Sequence, residues 1–422
     1  MAFRDIRKSG KFLGAADIAF ILSALILLGA LLALNIYLAR VLSGGEWLFM
    51  RWSGIRAFLF EHVEPFGSTL AQRVQMLVYG RAAFLNEYPY ALNDPFYIVL
   101  LYSPLAFFFS DFTIARGIWM LFSEAALVAI VMLSLNLIEW ESPRWLLVIL
   151  LGLGLFSYFS IGALLSASST IFLTLLYLII LVALRSFSDE LAGILLFLVA
   201  YQWEVGALFF LFILVFVFAN RRWGVLAGFG MALVLSLVVS YLVKSDWALS
   251  YARAVLFDWY HSTEYTFGFT LANLFPALDL SINRWLAMLG GVILLFEAIR
   301  SMYEHPRHVM WAAFLALTLN PLIGFAIFSP NHVVLLPALV LLTALVCERW
   351  TNKPIVVSIF VIGLILFSYF GFYVETLNNA ERIYSDALRI LPPVVATLGL
   401  YWMRWWAVRP PRIWTDQFGA RK

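Results

Sequence analysis

Apolar residues run along this chain in long blocks separated by short polar stubs. That rhythm predicts membrane-crossing helices, since a helix needs about 20 mainly apolar residues to span the hydrocarbon core. The blocks at 18–42, 95–110, 113–138, 145–160, 163–184, 191–219, 223–243, 285–299, 309–328, 331–347, 355–374 and 387–408 predict about twelve spans. The expected fold class is all-α: a polytopic transmembrane helical bundle that occupies residues 1–422 as one domain, with no separate soluble domain. Polar residues gather in two long loops, 43–94 and 244–284, and in a shorter one at 375–386. The first long loop has a pattern of its own. Ile55, Phe58, Leu59 and Val63 recur at helical spacing, as do Leu70, Val74, Leu77 and Val78, with Arg56, Glu61, Gln72, Arg73 and Gln75 on the other faces. Two amphipathic helices lying in the membrane interface are expected there. A similar stretch, Phe267 to Leu280, is expected in the second loop, its helix limited by Pro276.

Composition agrees with this pattern. Of 422 residues, 63% are hydrophobic and 13% charged, whereas a soluble domain carries about 25% charged residues. The net charge of +3 is spread over span flanks, so it marks orientation and not a nucleic-acid surface. Arg4, Arg7, Lys8 and Lys11 precede the first block, which is longer than the apolar core of a signal peptide and has no small-x-small site after it. They place the amino terminus in the cytoplasm, and twelve crossings would return the carboxyl terminus to the same side. Arg221-Arg222, Arg300, Arg307, Arg349, Lys353 and the basic tail from Arg404 then fall on the inside, and the two long loops outside. Cys347 is the only cysteine, which excludes an internal disulfide and a thiolate metal cluster. No Asn-x-Ser/Thr sequence occurs, which fits a multi-pass protein of a prokaryotic cell membrane.

Gly44-Gly45-Glu46-Trp47 closes the first span, followed by Tyr88-Pro89-Tyr90, Asn93-Asp94-Pro95, Ser103-Pro104-Leu105-Ala106 and, late in the chain, Ser329-Pro330-Asn331-His332 with Pro337. In this order the segments resemble the short motifs of GT-C glycosyltransferases, in particular the prokaryotic, mannosyltransferase-like branch that uses polyprenyl-phosphate sugars. Glu46 stands where that branch has its span-end acid. The chain departs from the pattern at Gly162-Ala163-Leu164-Leu165, where Gly-Gln-x-Asn is usual, and at Gln202-Trp203-Glu204, where a lysine is usual. The resemblance implies a GT-C-type bundle whose outside loops form the active-site face. It implies transfer of a hexose or pentose from a polyprenyl-phosphate donor to the hydroxyl of a lipid or glycan acceptor. The partners expected are these two substrates and membrane lipids, with no nucleic acid.

Such a reaction needs a base for the acceptor and a cation for the departing phosphate. Glu46 is the expected base, because the span end fixes its backbone and burial beside Trp47 would raise its pKa. Asp94 is the second catalytic candidate, with helix N-capping ahead of Pro95 as the alternative. Arg51, Arg253, His261 and His332 are candidates for the donor phosphate, the arginines favoured for their bidentate geometry; contact with lipid headgroups is the alternative for each. Tyr88, Tyr90, Trp259, Tyr260 and Glu204 are expected to line a substrate groove. Glu124 and Glu204 lie within spans, where ionisable groups default to function, although a hydrogen-bonded pair is an equal account. Asp258-x-x-His261-x-x-Glu264 has the residue types of a metal site, but its outer members diverge on a helix, so the spacing supports no cofactor or metal. Two other classes fit the same architecture: a secondary transporter, and a lipid-linked glycan ligase or polymerase. Against a carrier, the two halves of the chain do not resemble each other.

Overall fold

The computed structural model describes residues 15–84, 87–262, 266–275, 277, 279, 281–303, 306–349, 354–377 and 382–408. Arg4, Arg7, Lys8, Lys11, Glu264, Pro276, Leu280, His305, Lys353 and the basic tail beyond residue 408 lie outside these ranges. The described residues are almost wholly helical. α1 (Ala15–Val41) leads through the Gly44-Gly45 turn to α2 (Glu46–Arg56), a wide π-type turn at 57–61 and α3 (Ser68–Tyr79). A strap without regular structure, residues 87–95, then enters α4 (Phe96–Leu101) and α5 (Ser103–Phe108). The main bundle begins with α6 (Phe112–Leu137), α7 (Arg144–Phe156), α8 (Tyr158–Leu165), α9 (Thr170–Arg185), α10 (Asp189–Val199), α11 (Trp203–Asn220) and α12 (Trp223–Val243). After α13 (Trp247–Ser262) and α14 (Phe267–Leu274) it resumes with α15 (Ile282–Met302) and α16 (Pro306–Leu319). A 3-10 segment at 329–335 runs directly into α17 (Leu336–Arg349), and α18 (Pro354–Leu377), α19 (Arg382–Trp402) and α20 (Arg404–Val408) complete the chain.

The chain is an all-α, multi-pass membrane protein, but the expectation of about twelve spans is wrong. Among the described residues six helices are long and apolar enough to cross a membrane, or seven if the bent pair α7–α8 is one span. The six are Ile21–Val41, Phe112–Leu137, Trp203–Asn220, Trp223–Val243, Ile282–Met302 and Ser329–Arg349. The excess arose because hydropathy does not register breaks in the backbone. The block at 95–110 is two helices of six residues, parted at Tyr102 just before Pro104. The block at 191–219 divides at 200–202 into α10, of 11 residues, and α11. α16 stops at Leu319 because Pro321 follows, with no N–H to continue the ladder. α9 has 16 residues, and at 1.5 Å per residue it falls short of the roughly 30 Å hydrocarbon core. In α18 and α19 the described apolar stretches are also short, Ile355–Phe367 and Ile390–Trp402.

Two apolar cores hold these elements. The larger joins α6 to α12 with α15, α16, α17 and α19, around fully buried Trp311, Tyr177, Phe209 and Phe212. α10 and α12 cross closely at Gly193, where an added Cβ would fall 2.0 Å from the Val225 carbonyl oxygen. The smaller core lies beneath the first loop and joins Leu48, Ile55, Leu70, Val74, Leu92 and Phe96. The loop therefore does fold as two helices, but the first begins at Glu46, nine residues ahead of the start of the expected apolar stripe at Ile55. Leu59, Leu77 and Val78, expected on the packed stripes, are exposed. The second loop holds the expected α14, preceded by a further helix, α13.

Candidate functional site

Glu46 is the first residue of α2, and the turn that presents it can be made only by glycine. Gly44 has φ 120° and Gly45 has φ 86°, both in the region that L side chains avoid. Space is closed as well: a Cβ on Gly44 would lie 2.7 Å from the Leu165 carbonyl oxygen, and one on Gly45 would lie 2.8 Å from Arg116 Cδ. Arg116, from the first turns of α6, locks the turn from below. Its Nη1 donates to the carbonyls of Ala39 (3.1 Å) and Leu42 (2.8 Å), and its Nη2 to those of Ser43 (3.1 Å) and Leu165 (2.6 Å). Three of these bonds satisfy open carbonyls at the end of α1 and in the turn after it, and the fourth the last carbonyl of α8, as a cation at helix C-termini should. Burial raises the pKa of Glu46 above the ordinary carboxylate value, opposed by its own backbone N–H and by the charge of Arg116. The result is a half-buried carboxyl on a rigid backbone.

One and a half turns further along α2, Arg51 faces Asp94 of the strap. Arg51 Nε donates to Asp94 Oδ2 at 2.5 Å and Nη2 to Oδ1 at 3.1 Å, while Nη1 donates to the Trp47 carbonyl at 3.0 Å. Both side chains are 4% exposed, and Tyr102 closes over the guanidinium at 5.8 Å. The strap is also tied to α13. Tyr88 Oη donates to Asp258 Oδ1 at 2.5 Å and Asn93 Nδ2 to Oδ2 at 2.9 Å. Burial, then the charges of Asp258 and Glu204, hold the Tyr88 hydroxyl well above its usual range, so it stays protonated as the donor. From the other side Gln75 of α3 donates to the Pro89 carbonyl at 2.7 Å. Trp47, the residue after Glu46, forms an aromatic layer with Tyr88, Tyr90 and Phe328, neighbouring ring centroids lying 5.1–6.0 Å apart.

The structure thus brings together Arg51, Asp94, Tyr88, Tyr90 and Glu204, the last of these near Asp94 and Asp258 at the start of α11, while Glu46 opens the helix that carries Arg51 and has Arg116 as its charged neighbour. It places several of them differently from the expectation. Arg51 and Asp94, expected as a phosphate ligand and a reserve base, are bound to each other; Pro95 holds the N-cap position of α4, so Asp94 does not cap that helix. Arg253 is exposed on α13, and so are Trp259 (73%) and Tyr260 (79%), whereas Asp258 on the same helix is buried against the strap. The side chain of His261 lies outside the description. His332 is buried in the 3-10 segment, beside Asn331, which accepts from Thr170 of α9 at 2.8 Å. Glu124 pairs not with Glu204 but with Asn35 of α1, at 3.0 Å. Among the described residues no three His, Cys, Asp or Glu side chains converge to hold a metal. Arg116 was missed. Its signal was present, an arginine opening an otherwise apolar run, yet its partners are backbone carbonyls that no side-chain pattern reveals.

The chain matches no protein-family model, no curated protein and no solved structure. What the site can do must therefore be read from its own chemistry. A carboxyl of raised pKa accepts a proton near neutrality better than an ordinary one. A wall of aromatic rings offers a face for a sugar ring.

Proposed function

We propose that the protein is an integral-membrane glycosyltransferase, moving a sugar from a polyprenyl-phosphate-linked donor to an acceptor hydroxyl at the membrane surface. The observation that carries this reading is Glu46: a half-buried carboxyl, its pKa raised by burial, held on a two-glycine turn at the end of a span and followed in the chain by Trp47 of the aromatic layer. α1 enters the membrane behind Arg4, Arg7, Lys8 and Lys11, so the positive-inside rule puts its far end, and with it Glu46, on the outer face. Leu59, Leu77 and Val78, exposed on the first-loop helices, would then rest in the lipid interface.

In the reaction Glu46 takes the proton of the acceptor hydroxyl. The oxygen attacks the anomeric carbon of the donor, the bond from that carbon to the phosphate oxygen breaks, and the polyprenyl phosphate leaves with the electron pair. Trp47 and Tyr90 supply the sugar's stacking face. Arg253, exposed on α13, is the cation assigned to the phosphate in this reaction. Arg51 and Asp94 are positioning residues. The test is sugar transfer from synthetic polyprenyl-phosphate donors by purified protein in detergent; no transfer from any hexosyl or pentosyl donor with lipid and glycan acceptors rejects the reading.

A carrier is the second reading. It is favoured by the 46° bend between α7 and α8 and by the non-helical backbone at Gly206 inside α11, since broken spans mark substrate sites in secondary transporters. Solute counterflow in proteoliposomes that survives Glu46→Gln unchanged would favour it over the enzyme.

A further inference from the structure

α11 runs from Trp203, beside the candidate site, to Asn220, and its far end opens on a cavity of about 1170 Å³. The cavity is therefore at the opposite end of the bundle from Glu46 and belongs to no part of the chemistry above. Its deep wall is apolar, with Leu181, Phe212, Met310 and Leu345 contributed by four different helices. Its mouth is built from the turns that join α6 to α7, α9 to α10 and α11 to α12, with the end of α15 and the start of α16. Two ion pairs stiffen those turns. Arg222 binds Asp189 and donates to the Leu184 carbonyl at 2.6 Å. Arg185 lies 3.0 Å from Glu139 and donates to the Asn136 carbonyl at 3.1 Å.

Arg307, which has contacts of its own, also lines the mouth, and three more charges there have no ion pair among the described residues: Arg221, Glu190 and Glu348. We infer that this cavity is a binding site for a glycerophospholipid with a zwitterionic, primary-amine headgroup. The volume exceeds the roughly 300–1,000 Å³ that suffices for drug-sized ligands. An apolar depth beneath a charged mouth fits an amphiphile whose alkyl chains are buried and whose head stays at the surface. The choice of head follows from charge. Arg221 presents a guanidinium to the phosphate, and Glu190 and Glu348 present carboxylates to an ammonium that can donate hydrogen bonds to them. An anionic head would satisfy the arginine and meet two carboxylates of its own sign.

Binding is measured by native mass spectrometry of the full-length protein, delipidated in detergent and titrated with phosphatidylethanolamine or phosphatidylglycerol of identical acyl chains. Phosphatidylethanolamine is expected to bind more tightly, and soluble phosphoethanolamine is expected not to displace it, because the chains supply the apolar contact. Arg221→Gln should weaken binding about ten-fold, the loss of one charge-assisted hydrogen bond. Glu190→Gln with Glu348→Gln should reverse the preference toward phosphatidylglycerol. Ala344→Trp, which fills the cavity from α17, should abolish binding; if that variant does not fold, the exposed Arg221 and Glu190 variants decide. Equal affinity for the two lipids, displacement by phosphoethanolamine, or binding unchanged by the rim substitutions overturns the assignment.

Discussion

The Arg51–Asp94 pair sets a stability test that needs no substrate. Asp94→Ala removes two of the three acceptors of the Arg51 guanidinium, those at 2.5 and 3.1 Å, and leaves the Trp47 carbonyl at 3.0 Å. With both side chains 4% exposed, water cannot replace the lost bonds, and breaking one half of a buried ion pair costs about 3–5 kcal/mol. Asp94→Asn keeps an uncharged acceptor and should cost less, about 2 kcal/mol. Replacing both partners, Arg51→Met with Asp94→Leu, removes the buried charge altogether and should restore much of the loss. The assay is reversible unfolding in mixed micelles followed by tryptophan fluorescence, with the four proteins of the Arg51→Met and Asp94→Leu cycle compared to extract the coupling. A cost below about 1 kcal/mol for Asp94→Ala, the range of a solvent-exposed pair, would falsify the buried geometry and return Arg51 to the list of free phosphate ligands.

Other outcomes follow from the same geometry. Gly44→Ala should destabilise by more than about 1 kcal/mol, because φ is 120° and its Cβ would meet the Leu165 carbonyl oxygen at 2.7 Å; tolerance of alanine in a thermal melt would show that the turn is not rigid. Gly193→Ala should cost about 1–3 kcal/mol by forcing α10 from α12, and the folded fraction should keep its turnover, since the crossing lies away from Glu46. The pH profile of transfer should have an acid limb above the unperturbed glutamate value of about 4.3, activity falling as pH drops and Glu46 gains its proton. Arg116→Gln removes a charge that lowers this pKa, so the limb should move to higher pH, whereas Arg116→Lys should leave it near the wild-type position; an unmoved limb in Arg116→Gln would separate Glu46 from the titration.

The helical, membrane-spanning character was legible in long apolar blocks, and the two helices of the first loop in their apolar stripes. The breaks were not. Ser157, where α7 turns into α8, sits within an apolar run, and its extended backbone (ψ 147°) leaves no mark in hydropathy. Asn320 was equally silent: it donates to the carbonyl of Glu204 at 2.7 Å and accepts from Leu208 N–H at 2.9 Å, holding the start of α11 from 112 and 116 residues away. Glu46 could be picked out because it opens a long polar loop directly after the first apolar block and a Gly-Gly pair. The fate of Arg51 could not, because its partner lies 43 residues on, and two opposite charges in a polar loop look alike whether free or paired. The tie from Tyr88 to Asp258 crosses 170 residues. Residue type marked these groups as candidates, and only the three-dimensional partners divide those that hold the site together from those left to react.

The central claim, that Glu46 is a proton acceptor for sugar transfer, is tested most directly by Glu46→Gln. The substitution keeps size and the helix start but removes the base, whose loss usually lowers the rate about 10²–10⁴-fold. Because burial raises the Glu46 pKa, its ionised form is disfavoured by folding, and the glutamine variant should be at least as stable as the parent near neutral pH. Turnover is measured with a synthetic polyprenyl-phosphate sugar in detergent, beside equilibrium binding of the same donor. Transfer should fall at least about a hundredfold, with donor affinity within about two-fold of the parent, since no phosphate contact is touched. Full transfer by Glu46→Gln would contradict the claim.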